Sequence, residues 1–312
     1  MSSIDVVIPT WNGRDLLARC LESLEGQTVK HRVIAVDNCS QDDTAELVRE
    51  RFPSVHLVEL ERNYGFAGGV NRGVEQGDGQ FVVLVNNDVE CDPPFLEQLV
   101  APFEDERVGM VAGLLLRPGR EAIDGYGLEC DPTLAAYPRF AGAPYPGTQV
   151  HGYGLLGPSG GAAAYRREAY SAAGGLDEGM FAYVEDVDLA LRLRDSGWIA
   201  AGAPGATGIH LGSATFGHRS RAQIEIASAS RAYMLRKYGV LGRGLTTGAW
   251  ALGIEVAVTL FDTITGRDLA AARGRLTGWK KAAGRHARIP EGAVNPELGF
   301  REGLRRRLAT VR

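Results

Sequence analysis

The chain has 312 residues, 45% hydrophobic and 23% charged, the balance of an ordinary globular protein and not of a disordered or fibrous one. Four cysteines, Cys20, Cys39, Cys91 and Cys130, form no CxxC pair, which argues against a zinc ribbon or a disulfide framework and fits a reducing cytoplasm. The net charge is −4, yet from Arg243 onward Lys and Arg outnumber Asp and Glu by 13 to 6, leaving a basic tail on an acidic body. Such a tail suits an anionic surface, while the acidic body argues against a nucleic-acid footprint.

Met1 to Asp5 lead straight into a strand, without the basic and apolar regions of a signal peptide. Ile4 to Ile8 read as that strand, and Leu16, Leu17, Cys20, Leu21 and Leu24 then recur at helical spacing. Arg32 to Val36 form the next strand, followed by a helix in "SQDDTAELVRERF" with Ser40 or Asp42 as its N-cap. "VHLVEL" (55–60), "GFAGGVNRGVEQG" and Gln80 to Val85 continue the alternation. Repetition of this kind predicts a parallel sheet with helices on both faces.

Each strand ends in polar residues: Thr10 and Asn12, Asp37 and Asn38, Arg62 and Asn63, then Asn86 to Asp88. These ends converge on one edge of the sheet, where ligands of such folds bind. Residues 118–155, rich in Gly, Pro and Tyr, read as an extended or loop-rich insertion. "EDVDLALRLRDSGW" is a helix, and after "GIHLGSATFGHRSRAQ" the pattern is mostly helical. The stretch Leu245 to Phe261 is the most apolar in the chain, but it falls short of the roughly 20 residues a bilayer span needs and reads as a buried or interfacial helix.

Gly65, Gly68, Gly69 and Gly73 make neither GxGxxG nor a P-loop. They allow close helix–sheet packing or, with Asn63 and Asn71 flanking them, the approach of a polar ligand. Asn86-Asn87-Asp88 is by itself a turn signal. Alternatively, Asp88 with Asp92 supplies carboxylates to a hard divalent cation that also holds phosphate oxygens. Glu185, Asp186 and Asp188 suit a helix N-terminus electrostatically. Three acids within four residues nevertheless exceed what capping needs, and one of them is a candidate general base. His210, a lone histidine in an apolar stretch, reads as a satisfied core residue, and His218 as a core or surface residue.

In order, "VVIPTWNG", "IAVDNCSQDDT", "RNYGFAGGVNRG", "LVNNDVECDPPFLEQL", "GPSGGAAAYRREAYSAAGGLDEGMFAYVEDVDLALRLRDSGW" and "HLGSAT" resemble the family-2 glycosyltransferases. The similarity covers about residues 4–215 and is strongest to the rhamnosyltransferase branch that builds bacterial surface polysaccharide. It implies the α/β GT-A fold, a Rossmann-like, mostly parallel central sheet flanked by helices, with a helical C-terminal extension. It further implies a catalytic domain over 1–220, with a nucleotide-sugar half to about 117 and an acceptor half from 118, and a basic helical region over 221–312.

The resemblance also assigns roles. Pro9, Thr10, Asn12 and Asp37 would hold the base and ribose, with Asp37 accepting from a pyrimidine N–H. Asn63, Gly68, Asn71, Asn86 and Asn87 would line the nucleotide or sugar. Asp88 ends the position of the family's DxD motif, whose first acid is here Asn86, and His210 matches its later metal-binding histidine, so the implied cofactor is Mg²⁺ or Mn²⁺. Asp186 matches the catalytic base, with Glu185 beside it. The implied reaction is an inverting transfer of a sugar, from dTDP-rhamnose first and a UDP-hexose alternatively, to a glycan or polyprenyl-diphosphate-linked acceptor. A non-catalytic nucleotide-sugar-binding homologue is the rival reading. "WKKAAGRHAR" and "GLRRRL" would meet the inner face of the plasma membrane, or else serve as solvated helix faces or an oligomer contact.

Overall fold

A computed structural model describes residues 3–152, 154–212 and 220–309. The first third alternates as its pattern predicts: β1 (Ile4–Thr10), α1 (Arg14–Glu25), β2 (Arg32–Asp37), α2 (Thr44–Arg51), β3 (His56–Glu59), α3 (Gly65–Glu75) and β4 (Phe81–Val85). Then come β5 (Val89–Cys91), α4 (Phe95–Val100), β6 (Val108–Leu116), β7 (Ile123–Tyr126), β8 (Leu128–Cys130), β9 (Ala136–Pro138), β10 (Ala162–Arg166) and α5 (Arg167–Ala172). α6 (Glu185–Asp195) and β11 (Ile199–His210) complete the sheet-bearing part, and α7 (Arg221–Lys237), α8 (Leu245–Gly266), α9 (Ala270–Lys281) and α10 (Phe300–Ala309) follow.

The central sheet runs β3-β2-β1-β4-β10-β6-β11-β5, with β7 added beside β6. β3, β2, β1 and β4 are mutually parallel, as expected. Beyond β4 the sheet is mixed: β10 lies antiparallel to both β4 and β6, β11 is parallel to β6, and β5 and β7 are antiparallel additions. The apolar strands β1 and β4 are buried throughout because helices cover both faces. One core lies between the sheet and α3 and α6, and the other between the sheet and α1 and α4.

Three local expectations change. α2 starts after Asp43, which takes a left-handed φ of 58° and makes no side-chain cap; Asp42 instead accepts from the Thr44 hydroxyl. The insertion at 118–155 holds β7, β8 and β9, the last two paired with each other. The apolar helix is longer than the stretch Leu245 to Phe261: α8 continues through Asp262 to Gly266 and has 22 residues, enough by length and composition to cross a membrane.

The glycines of α3 serve packing. A Cβ on Gly73 would stand 2.5 Å from Val7 and 2.7 Å from Val36, so the helix lies closer to β1 and β2 than any side chain permits. Gly69 similarly makes room for the Asn38 amide.

Candidate functional site

The carboxyl ends of β1 and β4, the start of α6 and the end of β11 surround a cleft of about 420 Å³. Of the residues expected at a site, Pro9, Thr10, Asn63, Asn86, Asn87, Asp88, Glu185, Asp186 and His210 line it. β1 carries Thr10 to the edge beside β2, whose last residue Asp37 pairs with it in register. The Asn87 amide donates to the Thr10 hydroxyl at 2.9 Å, joining the ends of β1 and β4.

Four expected residues stand outside the cleft lining, each for a visible reason. Exposed Asn12, with a φ of 49°, accepts from Gln41 N–H at its side-chain oxygen and donates its own backbone N–H to Ser40 Oγ, so it ties the two strand-end loops together. Asp37 is buried and accepts from Ser40 N–H at 3.0 Å. Gly68 is buried in α3 against Tyr64. Asn71 donates to the Leu176 carbonyl and accepts from Tyr170 OH and Leu176 N–H, which fastens α3 to the segment before α6. Asp92 is also engaged elsewhere, with Arg120 and Thr207. His218 and the Ser213 to Thr215 end of the "HLGSAT" motif lie outside the described residues.

Asp88 and His210 come together although 122 positions separate them in the chain. His210 Nε2 is 3.4 Å from Asp88 Oδ2, and the Leu211 N–H donates to the Asp88 carbonyl. Asp88 Oδ1 and Asn86 Oδ1 are buried with no hydrogen-bond partner among the described residues. A buried carboxylate oxygen left so costs on the order of 1–3 kcal/mol or more, unless a ligand satisfies it. Among the described residues no group of three or more His, Cys, Asp and Glu side chains gathers as a complete metal cage. The donor set therefore fits a cation that takes one carboxylate and one imidazole from the protein and the rest of its shell from ligand oxygens.

The other ring nitrogen, His210 Nδ1, lies 2.7 Å from Asp124 Oδ2. Asp124 lines the cleft, and sequence reasoning missed it. β7 and β11 pair with opposite edges of β6 near Leu115 and Leu116, which carries Asp124 and His210 to the same end. Burial works against a charge on the His210 ring, but hydrogen bonds to Asp124 and Asp88 outweigh it and lift its pKa to about 10.

α6 opens on Glu185 and Asp186, which also line the cleft. Tyr183 and Val184, with φ of 70° and 61°, sit in the left-handed region that L residues avoid, and a β-branched residue there is strained. Ser230 of α7 helps hold this turn by donating to the Ala182 carbonyl at 2.7 Å. The half-buried Asp186 accepts from Gly160 N–H at 3.1 Å and from Val187 N–H at 2.8 Å. Burial raises its pKa against those bonds. Burial first, and the neighbouring Asp186 second, push Glu185 up to about 8.

Asp188, the third acid, faces away. It is fully buried between Lys237 (2.6 Å), Arg192 (2.7 Å) and Tyr238 OH (2.9 Å). Lys237 reaches Asp177 as well, at 2.7 Å, so the end of α7 pins both α6 and the segment before it. Gln223 at the start of α7 lines the cleft, so the site extends past the boundary expected at 220. Trp11, Asn38, Ser159 and Tyr183 also line it. Of these four, only Asn38, a polar strand end, gave a signal in the sequence.

A family model described as "Glycosyl transferase family 2" matches residues 5–174. An N-acetylglucosaminyl-diphospho-decaprenol L-rhamnosyltransferase of Mycobacterium tuberculosis is 30% identical over 239 residues, covering 66% of this chain and 75% of the relative. A mannosyltransferase of Pyrobaculum calidifontis, solved with GDP-Man and Mn²⁺, superposes with a TM-score of 0.51 at 18% identity, over 90% of this chain and 85% of the other. GalNAc-T7, solved with UDP, GalNAc and Mn²⁺, gives 0.59 at 17% identity, over 76% of this chain and 50% of the other.

Proposed function

Because this chain belongs to glycosyl transferase family 2 and has the GT-A fold, we propose that it is an inverting transferase that moves rhamnose from a nucleoside-diphosphate sugar to a lipid-diphosphate-linked glycan. The donor and acceptor follow the name of the mycobacterial relative. The observation that carries the reading is the buried Asp88 carboxylate oxygen, without a partner among the described residues, at a cleft that Asp186 also lines.

In this reading Thr10, Asn63, Asn86 and Asn87 hold the nucleotide and sugar, with Pro9 shaping the floor and Asp37 and Asn12 fixing the loops around the base. Asp88 and His210 hold a divalent cation, Mg²⁺ or Mn²⁺. When bound, such a cation stabilises the charge of the departing diphosphate as a Lewis acid. Asp186, held by two backbone N–H groups, takes the proton of the acceptor hydroxyl as that oxygen attacks the anomeric carbon from the face opposite the leaving group. One displacement inverts the configuration. Glu185 remains protonated beside it, which keeps a second negative charge away from the base. A lipid-linked acceptor places the reaction at the cytoplasmic face of a membrane, with the basic C-terminal region turned to it.

The test is the full chain with Mg²⁺ or Mn²⁺ and a panel of dTDP- and UDP-sugars, read by melting temperature and by release of nucleoside diphosphate. One donor should raise Tm by mass action, and more with metal than without. A dTDP-sugar outcome supports rhamnose, and a UDP-hexose outcome changes the donor. No shift with any donor, with or without metal, overturns the catalytic reading.

A further inference from the structure

α8 is inside out. Its two acids are Glu255, which is buried, and Asp262, which is half-buried, while none of its exposed residues is charged. Glu255 accepts from Arg231 of α7 at 2.9 Å and from Arg275 of α9 at 3.0 Å, so ion pairs seat the helix on the protein. Leu245, Leu252, Val256, Leu260 and Ile264 point the other way, 93%, 55%, 50%, 56% and 72% exposed. They recur at spacings of seven and four, one stripe along the helix. On α9, Leu276 and Trp279 extend the apolar surface.

Charge decides what covers that face. Arg243 precedes α8 and Arg267 caps its end, both exposed, and Lys280 and Lys281 close α9. An apolar stripe about 29 Å long with cations at both ends matches an anionic bilayer surface, in which acyl chains take the leucines and headgroups the basic side chains. A crossing helix would instead need lipid on all sides, and Glu255 is held to Arg231 and Arg275 midway along α8. The orientation is therefore flat.

We propose that the exposed faces of α8 and α9 lie in the interface of an anionic membrane, with α8 parallel to its plane, and so set the cleft above the lipid that carries the acceptor. The last clause rests on the glycosyltransferase reading; the membrane contact does not. α7 links the two: Gln223 lines the cleft and Arg231, about 12 Å further along the same helix, anchors α8. The apolar face, and not the basic tail alone, is thus the contact.

Flotation of the full chain with phosphatidylcholine vesicles, with and without phosphatidylglycerol, tests this. Wild-type protein should float with the anionic vesicles. Leu252→Asp with Leu260→Asp, both at exposed positions, should lower binding by about tenfold or more. Lys280→Glu with Lys281→Glu should lower it roughly fivefold per charge on anionic vesicles only. Donor-induced melting shifts should stay as in wild type, which separates failure of this proposal from failure of the catalytic one. Absence of flotation, or flotation that the leucine variant leaves unchanged, overturns it. So does a stable dimer in sedimentation that the same variant dissociates, since a second copy would then own the face.

Discussion

The cleft and α8 depart from the usual sorting of side chains in opposite senses. The cleft buries carboxylate and amide oxygens at Asp88, Asn86 and Glu185 that have no partner among the described residues. α8 buries its ion pairs and turns its leucines outward. Elsewhere β4 and most of β1 are apolar and buried, and the buried acids Asp5 and Asp188 are paired with Arg and Lys side chains. A protein keeps such departures only where something compensates them. The missing partner differs accordingly, a charged, oxygen-rich ligand at one place and an apolar surface at the other. Each variant below removes one side of that contrast.

The largest effect is expected at Asp186. Asp186→Asn keeps the volume and one of the two backbone acceptor bonds, from Gly160 or Val187, but cannot take a proton. Turnover should fall about 10²–10⁴-fold while the donor-induced melting shift persists. Equal loss of donor binding would make the residue a binding group and not the base.

Glu255→Ala attacks the other region. It leaves Arg231 and Arg275 facing each other in a largely buried place, and losing one member of such a network costs on the order of 3–5 kcal/mol. Chemical denaturation should show that loss. A change under 1 kcal/mol would mean that α8 is held by its few buried apolar residues instead of its charges.

Asp124→Asn comes next. Nδ1 of His210 would lose its carboxylate while Asp88 and His210 both remain. Partners of this kind typically matter by about 10–100-fold in metal affinity. Mn²⁺ titration of the nucleotide complex, followed by the Mn²⁺ resonance signal, should show that weakening with little change in Tm. Unchanged affinity would make Asp124 a bystander.

These residues also divide what the sequence makes legible from what it does not. The parallel half could be read because its strands are short apolar runs ending in polar residues, a pattern local to each element. The same logic located Thr10, Asn63, Asn86 and Asp88. Asp124 was hidden because its meeting with His210 depends on two strands pairing with opposite edges of β6, a matter of register across 86 positions. Asn71 misled for the converse reason: a polar residue near glycines looks like a ligand contact, whereas its amide fastens α3 to Leu176 and Tyr170. The direction of α8 was equally hidden. A Glu in an apolar helix usually marks the wet face, whereas here Arg231 and Arg275, 24 and 20 positions away, hold it inward.

Glu185 gives a smaller effect with a defined sign. Its pKa is raised from the ordinary 4.5 to about 8 in the folded chain, so between those values the native state holds a proton that the unfolded chain has released. Stability from this group is present below about pH 4.5 and is lost as pH rises toward 8. Glu185→Gln should remove that slope, leaving the variant about 2–5 °C higher in Tm relative to wild type at pH 8 than at pH 5. Parallel Tm profiles would mean that Glu185 is ionised in the fold despite its burial.

The smallest effect on stability is expected at Leu252, and its smallness is the point. Leu252 is 55% exposed on α8, so Leu252→Ser creates no cavity and strands no polar group, and its cost should stay within about 0.5 kcal/mol. A core leucine replaced by a small residue costs about 2–5 kcal/mol. If chemical denaturation at low protein concentration finds the small value while binding to anionic vesicles drops, the leucine acts on a partner and not on the fold. A loss of core size would instead mean that in solution this face already packs against protein, and the inside-out reading of α8 would fail.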